Sequence, residues 1–430
     1  MDVKPGYKQT EVGVIPMDWR VTTVGAEFAI QLGKMLDSEK NLGTPKPYLG
    51  NRAIQWGRID LSNVGIVKMT HSDLQRFRLR KGDLLVCEGG EVGRAAIWDD
   101  PFQECYYQKA LHRLRPIRGY NVQMMLNVLQ RLASTGFLLN FVTQTSIAHL
   151  PKDKFEKVPI PLPPTKAEQS AIAAVLSDAD ALIAGLDRLI AKKRDIKQAA
   201  MQELLTGKKR LPGFADENQY KRTEVGLVPE NWTVKSIGSI LNKGKLGGNY
   251  SNQDKETHYP LIKMGNIGRG SIDLGKIEYI SDGIIPNEMD RLRYGDILFN
   301  TRNTLDLVGK VAIWRNELPI AYFNSNLMRL DLKPEEIAST FYANYAFNST
   351  GCIARLKSIT TGTTSVEAIY TRDLLKIPFP CPPLPEQQAI AAVLSDMDTE
   401  IAALEARREK TRALKQGMMQ ELLTGRIRLV

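Results

Sequence analysis

The sequence predicts an α/β (α+β) protein made of two similar globular domains and two long helices, related by a pseudo-twofold internal repeat. The stretch EQSAIAAVLSDAD at residues 168–180 returns as EQQAIAAVLSDMD at residues 386–398, almost half a chain away. Apolar residues in both copies recur with a helical heptad spacing, and short apolar strands with Gly-Asp turns precede each copy. A period this long indicates a duplicated domain, because solenoid repeats are much shorter.

Framework segments outside these helices are also repeated. GDLL at residues 82–85 returns as GDIL at residues 295–298, and VGRAAIW at residues 92–98 returns as VGKVAIW at residues 308–314. The segments between these blocks differ freely. Two interpretations stay open at this point: a scaffold duplicated to carry two different recognition surfaces, or a duplication followed by drift.

Proline-rich connectors mark the predicted domain boundaries. PIPLPP at residues 159–164 and PFPCPP at residues 378–383 are expected to be extended, because successive prolines exclude helix. Thr165 and Glu168 then have the spacing of a capping box, and Pro385 suits a first helical position. We therefore predict a first globular domain at 1–164, a helix at 165–212, a second globular domain at 213–384 and a second helix at 385–430.

Both predicted helices carry an apolar seam, and we expect the two seams to pack on each other. About forty residues at about 1.5 Å each make a rod of roughly 60 Å. An antiparallel coiled coil is favoured because the second domain begins where the first helix ends. The alternative is that each helix packs on its own domain as ordinary core. The seam residues are Ile172, Leu176, Ile183, Leu186, Ile190, Ile390, Leu394, Met397, Ile401 and Leu404.

The composition is that of a globular protein with a basic surface. Hydrophobic residues make up 43% and charged residues 25%, and the net charge is +10, most of it in residues 1–164. This excess moderately favours a polyanionic partner. We expect no membrane span and no signal peptide, and hence a cytoplasmic location. The four cysteines and four histidines lack the spacing of a metal site or a disulfide framework.

No motif for catalysis is present in the sequence. The glycines of Gly89–Gly93 do not fit a phosphate-binding loop, and Asp100-Pro101-Phe102 lacks the second proline of the adenine methyltransferase turn. Neither a GxSxG elbow nor a zinc-protease HExxH motif occurs. We therefore expect no catalytic residue, no metal site and no cofactor in this chain.

Polar loops at equivalent places in the two halves are the candidate binding residues. The second-half loop supplies an arginine fork and an amide, which suit guanine and adenine edges, and the first-half loop supplies Arg94 beside Glu88 and Glu91. Hydroxyls before each proline connector could bind phosphates and set the register. Solvated turns remain the alternative for any single residue. The set comprises Arg94, Gln144, Thr145, Ser146, Thr301, Arg302, Asn303, Thr304, Thr361, Gly362, Thr363 and Thr364.

At this point the sequence resembles a specificity subunit of a type I restriction–modification system. The resemblance rests on Pro163-Pro164 with Glu168-Gln169 and AIAAVLS at residues 171–177, on their second copies, and on both ELLTG helix ends. FNTRNT at residues 299–304, followed by LVGK with Lys310, is typical of the target recognition domains of the family. The resemblance covers essentially the whole chain. CEGGE at residues 87–91 departs from the Arg-Asn version of the loop.

The resemblance implies a non-catalytic subunit with several partners. Each globular domain would be a target recognition domain that reads one half of a bipartite, asymmetric site on double-stranded DNA, with Lys310 among the DNA contacts. The helices would set the gap and dock two modification (methyltransferase) subunits, and restriction subunits could join. S-adenosylmethionine, ATP and magnesium would then be bound by those partners. Two other functions stay open: a self-sufficient modification–restriction enzyme, and a coiled-coil scaffold without DNA readout.

Overall fold

The computed structural model describes residues 4–37, 41–102, 104–144, 148–214, 219–363 and 366–429. Its contacts divide the chain into two compact units. The first unit contains residues 1–187 and 406–430, and the second contains residues 188–405. Each unit thus holds one globular region with the nearby part of both long helices. The units divide within the helices, so the predicted boundaries at 164, 212 and 384 stay a prediction.

The first globular region alternates short strands with short helices and ends in a long helix. Its strands are β1 Tyr7–Thr10, β2 Gly13–Pro16, β3 Arg20–Thr23, β4 Phe28–Leu32, β5 Thr44–Leu49, β6 Ile54–Gln55, β7 Arg58–Ile59, β8 Val64–Met69, β9 Leu84–Cys87, β10 Ala95–Ile97, β11 Tyr106–Tyr107, β12 Leu111–Pro116, β13 Thr143–Gln144, β14 Ala148–His149 and β15 Pro159–Leu162. Its helices are α1 Val24–Glu27, α2 His71–Phe77, α3 Val122–Ser134, α4 Lys152–Phe155 and the long α5 Lys166–Leu204.

The second globular region follows a similar order, with two helices before the last hairpin where the first region has α3. Its strands are β16 Tyr220–Thr223, β17 Gly226–Pro229, β18 Thr233–Ser236, β19 Leu241–Leu246, β20 Asn252–Gln253, β21 Pro260–Ile262, β22 Glu278–Ile280, β23 Ile297–Asn300, β24 Arg302–Asn303, β25 Val311–Ile313, β26 Tyr322–Phe323, β27 Leu327–Leu332, β28 Thr361–Thr363, β29 Val366–Ala368 and β30 Pro378–Cys381. Its helices are α6 Ile237–Ile240, α7 Thr340–Phe347, α8 Thr350–Ser358, α9 Thr371–Leu374 and the long α10 Leu384–Leu422.

A four-stranded antiparallel sheet forms the centre of each globular region. The strand order is β10-β9-β12-β4 in the first unit and β25-β23-β27-β19 in the second. Strands β9 and β23 lie inside these sheets and are buried along their whole length, so they are apolar without alternation. The predicted fold class and internal repeat are confirmed.

Ion pairs show that the two long helices run antiparallel within each unit. In the first unit Lys415 lies 2.7 Å from Asp180, and Arg408 lies 3.1 Å from Asp187. In the second unit Lys193 lies 2.7 Å from Glu400. As the number rises on one helix it falls on the other, which only an antiparallel pair satisfies. The coiled-coil prediction is confirmed in this respect.

The helix seams are buried, but their ends also belong to the cores of the globular regions. Ile172 and Leu176 pack in the core of the first unit with Trp19, and Ile390 and Leu394 pack in the core of the second. The two alternatives weighed for the seams therefore both occur, at different points along the helices. Buried seam residues are Ile172, Leu176, Leu186, Ile190, Ile390, Leu394 and Ile401, and Ile183, Met397 and Leu404 are half-buried.

Helix α5 corrects one expectation about membranes. By length and composition alone it is apolar enough to cross one, although we expected no such stretch. The reason is its alanine- and leucine-rich sequence, which suits helix pairing equally well. Buried helices of water-soluble proteins pass the same test, so one helix of this kind is weak evidence of a span.

A buried salt bridge joins the end of one long helix to the start of the other in each unit. In the second unit Arg210 donates two hydrogen bonds to Glu386, at 2.9 and 2.7 Å, and Trp232 Nε1 donates a third at 2.9 Å. In the first unit Arg428 pairs in the same way with Glu168. Glu168 therefore does not close the predicted capping box, although its amide donates to Thr165 Oγ1 at 3.1 Å.

Candidate nucleic-acid interface

A small three-stranded sheet in the second unit brings together two of the predicted binding loops. Strand β24 pairs with β29, and β29 pairs with β28, so that Arg302 and Thr361 lie on either side of Ala368. The sheet is fixed to the central sheet because Ile369 N–H donates to Thr301 O at 3.0 Å. Segments that are distant in sequence therefore form one surface, as the prediction required.

Successive residues of the 301–304 loop face opposite sides. Thr301 is buried, and its Oγ1 donates to Asn326 O at 2.9 Å. Arg302 is exposed, and its guanidinium has no hydrogen bond or ion pair with any residue that the structure describes. Thr304 is exposed and its N–H donates to Asn303 Oδ1 at 2.9 Å, which holds the turn. The loop thus fixes its backbone internally and presents one free arginine to solvent.

Two further contacts close this loop onto the central sheet. Asn300 N–H donates to Lys310 O at 2.9 Å, and Gly309 N–H donates to Asn300 O at 3.0 Å. Gly309 has φ +71°, and a Cβ there would lie 3.0 Å from Ile369 Cδ1, so glycine is required. The Lys310 side chain is half-buried. In the repeated Val-Gly-Arg/Lys block, the glycine is therefore the position at which the chain turns back into the central sheet.

The first unit contains the same arrangement with different side chains. Cys87 N–H donates to Arg94 O at 2.8 Å, and Leu150 N–H donates to Glu88 O at 2.7 Å. Gly89 forms an antiparallel bridge with His149, and β13 pairs with β14 on the other side. These contacts make Glu88 the equivalent of Thr301, and Gly89 the equivalent of Arg302. The two units therefore carry hairpins in equivalent places with different chemistry, joined to the preceding loop by strand β24 in the second unit and by a single bridge at Gly89 in the first.

Most of the chain matches a family of DNA-recognition domains. Residues 16–192 and 229–412 each match the family described as the type I restriction modification DNA specificity domain. The chain belongs to this specificity-domain family. The two matches correspond to the two repeats, so the prediction drawn from the resemblance is confirmed at the level of the family.

Curated relatives of this specificity-domain chain carry consistent names. It is 26% identical over 427 residues to the type I restriction enzyme MjaVIII specificity subunit of Methanocaldococcus jannaschii, covering 96% of this chain and 94% of the relative. It is 20% identical over 440 residues to the EcoKI specificity subunit of Escherichia coli, covering 97% and 90%.

Solved structures share the fold of this specificity-domain chain. The S subunit of a type I restriction-modification system from M. genitalium superposes with a TM-score of 0.59 at 15% identity, covering 98% of both chains. A chain from a structural study of complex assembly in the type I R-M system gives a TM-score of 0.57 at 19% identity, covering 96% of this chain and 99% of that one. At these identities the likeness concerns the fold.

The side chain of Arg94, one of the predicted contact residues, is held by other residues of the first unit. Its guanidinium pairs with Glu91 at 2.9 Å and donates to Asn51 O at 3.0 Å, which leaves the side chain 16% exposed. Glu91 also accepts from Trp56 Nε1 at 2.9 Å. The geometry gives Arg94 a role in holding its own loop, and its contact with a ligand stays a prediction.

The remaining predicted residues lie on the same two surfaces or outside the described residues. Thr361 and Gly362 are exposed on β28, while Thr363 and Gln144 belong to strands β28 and β13. Thr145, Ser146 and Thr364 lie outside the described residues. His149 was not among the contact residues predicted from the sequence. An alignment of the two hairpins on Leu150 and Ile369 would have placed it opposite the arginine position, but those segments share little sequence.

On the equivalent surface of the first unit, the carboxyl group of Glu88 has a raised pKa. Burial raises the pKa of Glu88, while the positive charges of His149 and Lys109 act in the opposite direction. No group of three or more His, Cys, Asp or Glu residues that could hold a metal ion occurs in the described parts of the chain.

Proposed function

We propose that this chain is the DNA-specificity subunit of a type I restriction–modification complex, in which each globular region reads one half of a bipartite, asymmetric site. The observation that carries the proposal is the pair of hairpin surfaces in equivalent places beside central sheets of the same strand order. The sheet order is repeated, whereas the exposed side chains differ, with Arg302 in the second unit and His149 in the first. Two readers of different half-sites require this combination.

In the second unit Arg302 is proposed to read a base. A guanidinium that is exposed and unpaired in the free protein can donate two hydrogen bonds to guanine O6 and N7 in the major groove. Thr304 on the same loop and Thr361 and Gly362 on β28 are exposed at the same small sheet, and hydroxyls and backbone groups suit phosphate oxygens. Asn303 and Lys310 are proposed to contribute further contacts. Thr301 acts through its bond to Asn326 and supports the loop.

The helices are proposed to set the unread gap and to dock two modification subunits. Several large apolar side chains on α5 and α10 remain exposed although the seams are buried. They are Leu182, Leu189, Ile196 and Leu414. Exposed apolar positions on a helix are suited to a partner protein. The modification subunits would supply S-adenosylmethionine and the methyltransferase chemistry, and restriction subunits would supply ATP- and magnesium-dependent steps. A complex of this kind would act on DNA in the cytoplasm.

Binding to duplex DNA at several salt concentrations tests the proposal. The assembled complex of this chain with its modification subunits should bind a duplex selected from a random library, and its affinity should fall linearly with salt on logarithmic axes. The selected duplexes should share a two-part sequence with a fixed gap. A coiled-coil scaffold would explain the helices but would select no sequence, and that outcome would overturn the proposal.

A further inference from the structure

The two units carry their large side chain on different strands of the equivalent strand pair. In the second unit Arg302 stands opposite Ala368, so the long side chain is on β24 and the small one on β29. In the first unit Gly89 stands opposite His149, so the small residue is on the first strand and the ring is on β14. The same place on the surface is therefore filled from the opposite strand.

The glycine leaves space for the histidine. A Cβ on Gly89 would lie 3.0 Å from Nδ1 and 3.2 Å from Cε1 of His149, which shows that the imidazole lies against the Gly89 backbone. Gly89 is buried, whereas His149 is exposed. A side chain at residue 89 would push the imidazole away. The histidine thus occupies the site that the arginine occupies in the other unit.

No described residue forms a hydrogen bond with the His149 imidazole, so its ring nitrogens are free for a ligand. The neighbouring charged groups do not compete for the same place. Glu91 and Arg94 are paired with each other. Glu88 stands next to Gly89 in the chain and leaves the strand on the opposite side, the side of the buried Leu150.

We infer that His149 is the specificity-determining residue of the first half-site and that its imidazole selects a purine. This inference rests on the proposed function. An imidazole N–H can donate to N7 of either purine, whereas cytosine presents an amino donor and thymine a methyl group in the major groove. The first unit then selects a purine where the second, through Arg302, prefers guanine.

The test is a selection from a random duplex library with the complex of the full chain and its modification subunits. His149→Ala should relax one position of one half-site, with a loss of discrimination of roughly 5- to 150-fold. His71→Ala is the matched control, because His71 is also exposed but lies on α2 outside this surface, and it should leave the selected base unchanged.

The outcomes separate this inference from the proposed function. If the wild-type complex selects no two-part sequence, the proposed function fails. If the wild type selects such a sequence but His149→Ala leaves it unchanged, the inference alone is wrong. The same holds if His149→Ala alters the half-site that Arg302→Ala alters. Where His149→Ala does not assemble, His149→Gln, which keeps a donor, should assemble and keep a purine at that position.

Discussion

Arg302 stands opposite Ala368 in paired antiparallel strands, and its guanidinium reaches solvent over that small residue without a partner among the described residues. The backbone on which this arginine stands is already fixed, so binding would cost the rotamer freedom of the side chain but little backbone entropy. The strand is fixed by the bond of Ile369 to Thr301 and by the closure at Gly309. We therefore expect Arg302 to be the residue on which recognition by the second unit depends most.

Replacing Arg302 with alanine should therefore weaken recognition of one half-site only. The expected cost is about 1–3 kcal/mol of discrimination at one base pair. Competition binding with duplexes that differ at single positions measures it. Arg372→Ala is the control, because Arg372 is equally exposed but lies on α9 outside the three-stranded sheet. An equal loss on every sequence would show that Arg302 contacts a phosphate instead.

The two helix-end salt bridges should differ in their contribution to stability. Arg210 and Glu386 are 5% and 1% exposed, so Arg210→Ala leaves a buried carboxylate without its charged partner. The expected loss in the free energy of unfolding is about 3–5 kcal/mol. Arg428 is 31% exposed, so its removal would open the buried Glu168 to water, and Arg428→Ala should cost less. Urea unfolding followed by tryptophan fluorescence compares the two, and equal losses would contradict the difference in burial.

Acid should destabilise the first unit through His112. Burial lowers the pKa of His112 to about 4 from 6.5. Its Nε2 donates to Leu150 O at 2.8 Å, and its buried Nδ1 has no acceptor for a second proton. Since the unfolded chain binds that proton more readily, stability falls as pH drops from about 6.5 to about 4, by roughly 3 kcal/mol from this group.

The variant His112→Gln provides the control for the acid effect, because an amide can still donate to Leu150 O but does not titrate. Urea unfolding at pH 5 and pH 7 should show a smaller difference for the variant than for the wild type. An identical pH dependence in both proteins would mean that other groups cause the loss of stability in acid.

Shortening both long helices by one heptad should shorten the unread gap of the DNA site. A heptad removes about 10 Å of helix and keeps the apolar seam in phase. The segments 188–194 and 402–408 are suitable because antiparallel pairing places them near each other in register. The expected result is a gap about three base pairs shorter with both half-sites unchanged. A deletion of four residues from α5 alone is the contrasting variant, because it puts the seam out of phase.

Repetition and periodicity made much of the fold predictable. The helices, their seams and the antiparallel pairing followed from heptad spacing and the near-identical copies. The pairing of β24 with β29 did not, because strands of two or three residues carry almost no periodicity. The correspondence between Arg302 in the second unit and His149 in the first could not be predicted from the sequence for the same reason. It depends on which residues stand opposite each other across the strands, and the two hairpins share little sequence.

The apolar character of α5 shows a second limit of the sequence. The same alanine- and leucine-rich pattern satisfies a membrane helix, a coiled-coil helix and a core helix, because each requires only apolar residues at a helical spacing. These three kinds of helix are distinguished by which residues the helix contacts in the folded chain. Lys415 against Asp180 and Lys193 against Glu400 are such contacts, and they are apparent only in the folded chain.

The central claim is that one chain carries two independent readers, and a genome-wide map of N6-methyladenine tests it most directly. The chain would be co-expressed with its modification subunit in a host without other methylation, as wild type, as Arg302→Ala and as His149→Ala. We expect a two-part motif with a fixed gap for the wild type, and a motif relaxed in a different half for each variant. Absence of methylation from a verified wild-type complex, or relaxation of the same half by both variants, would contradict it.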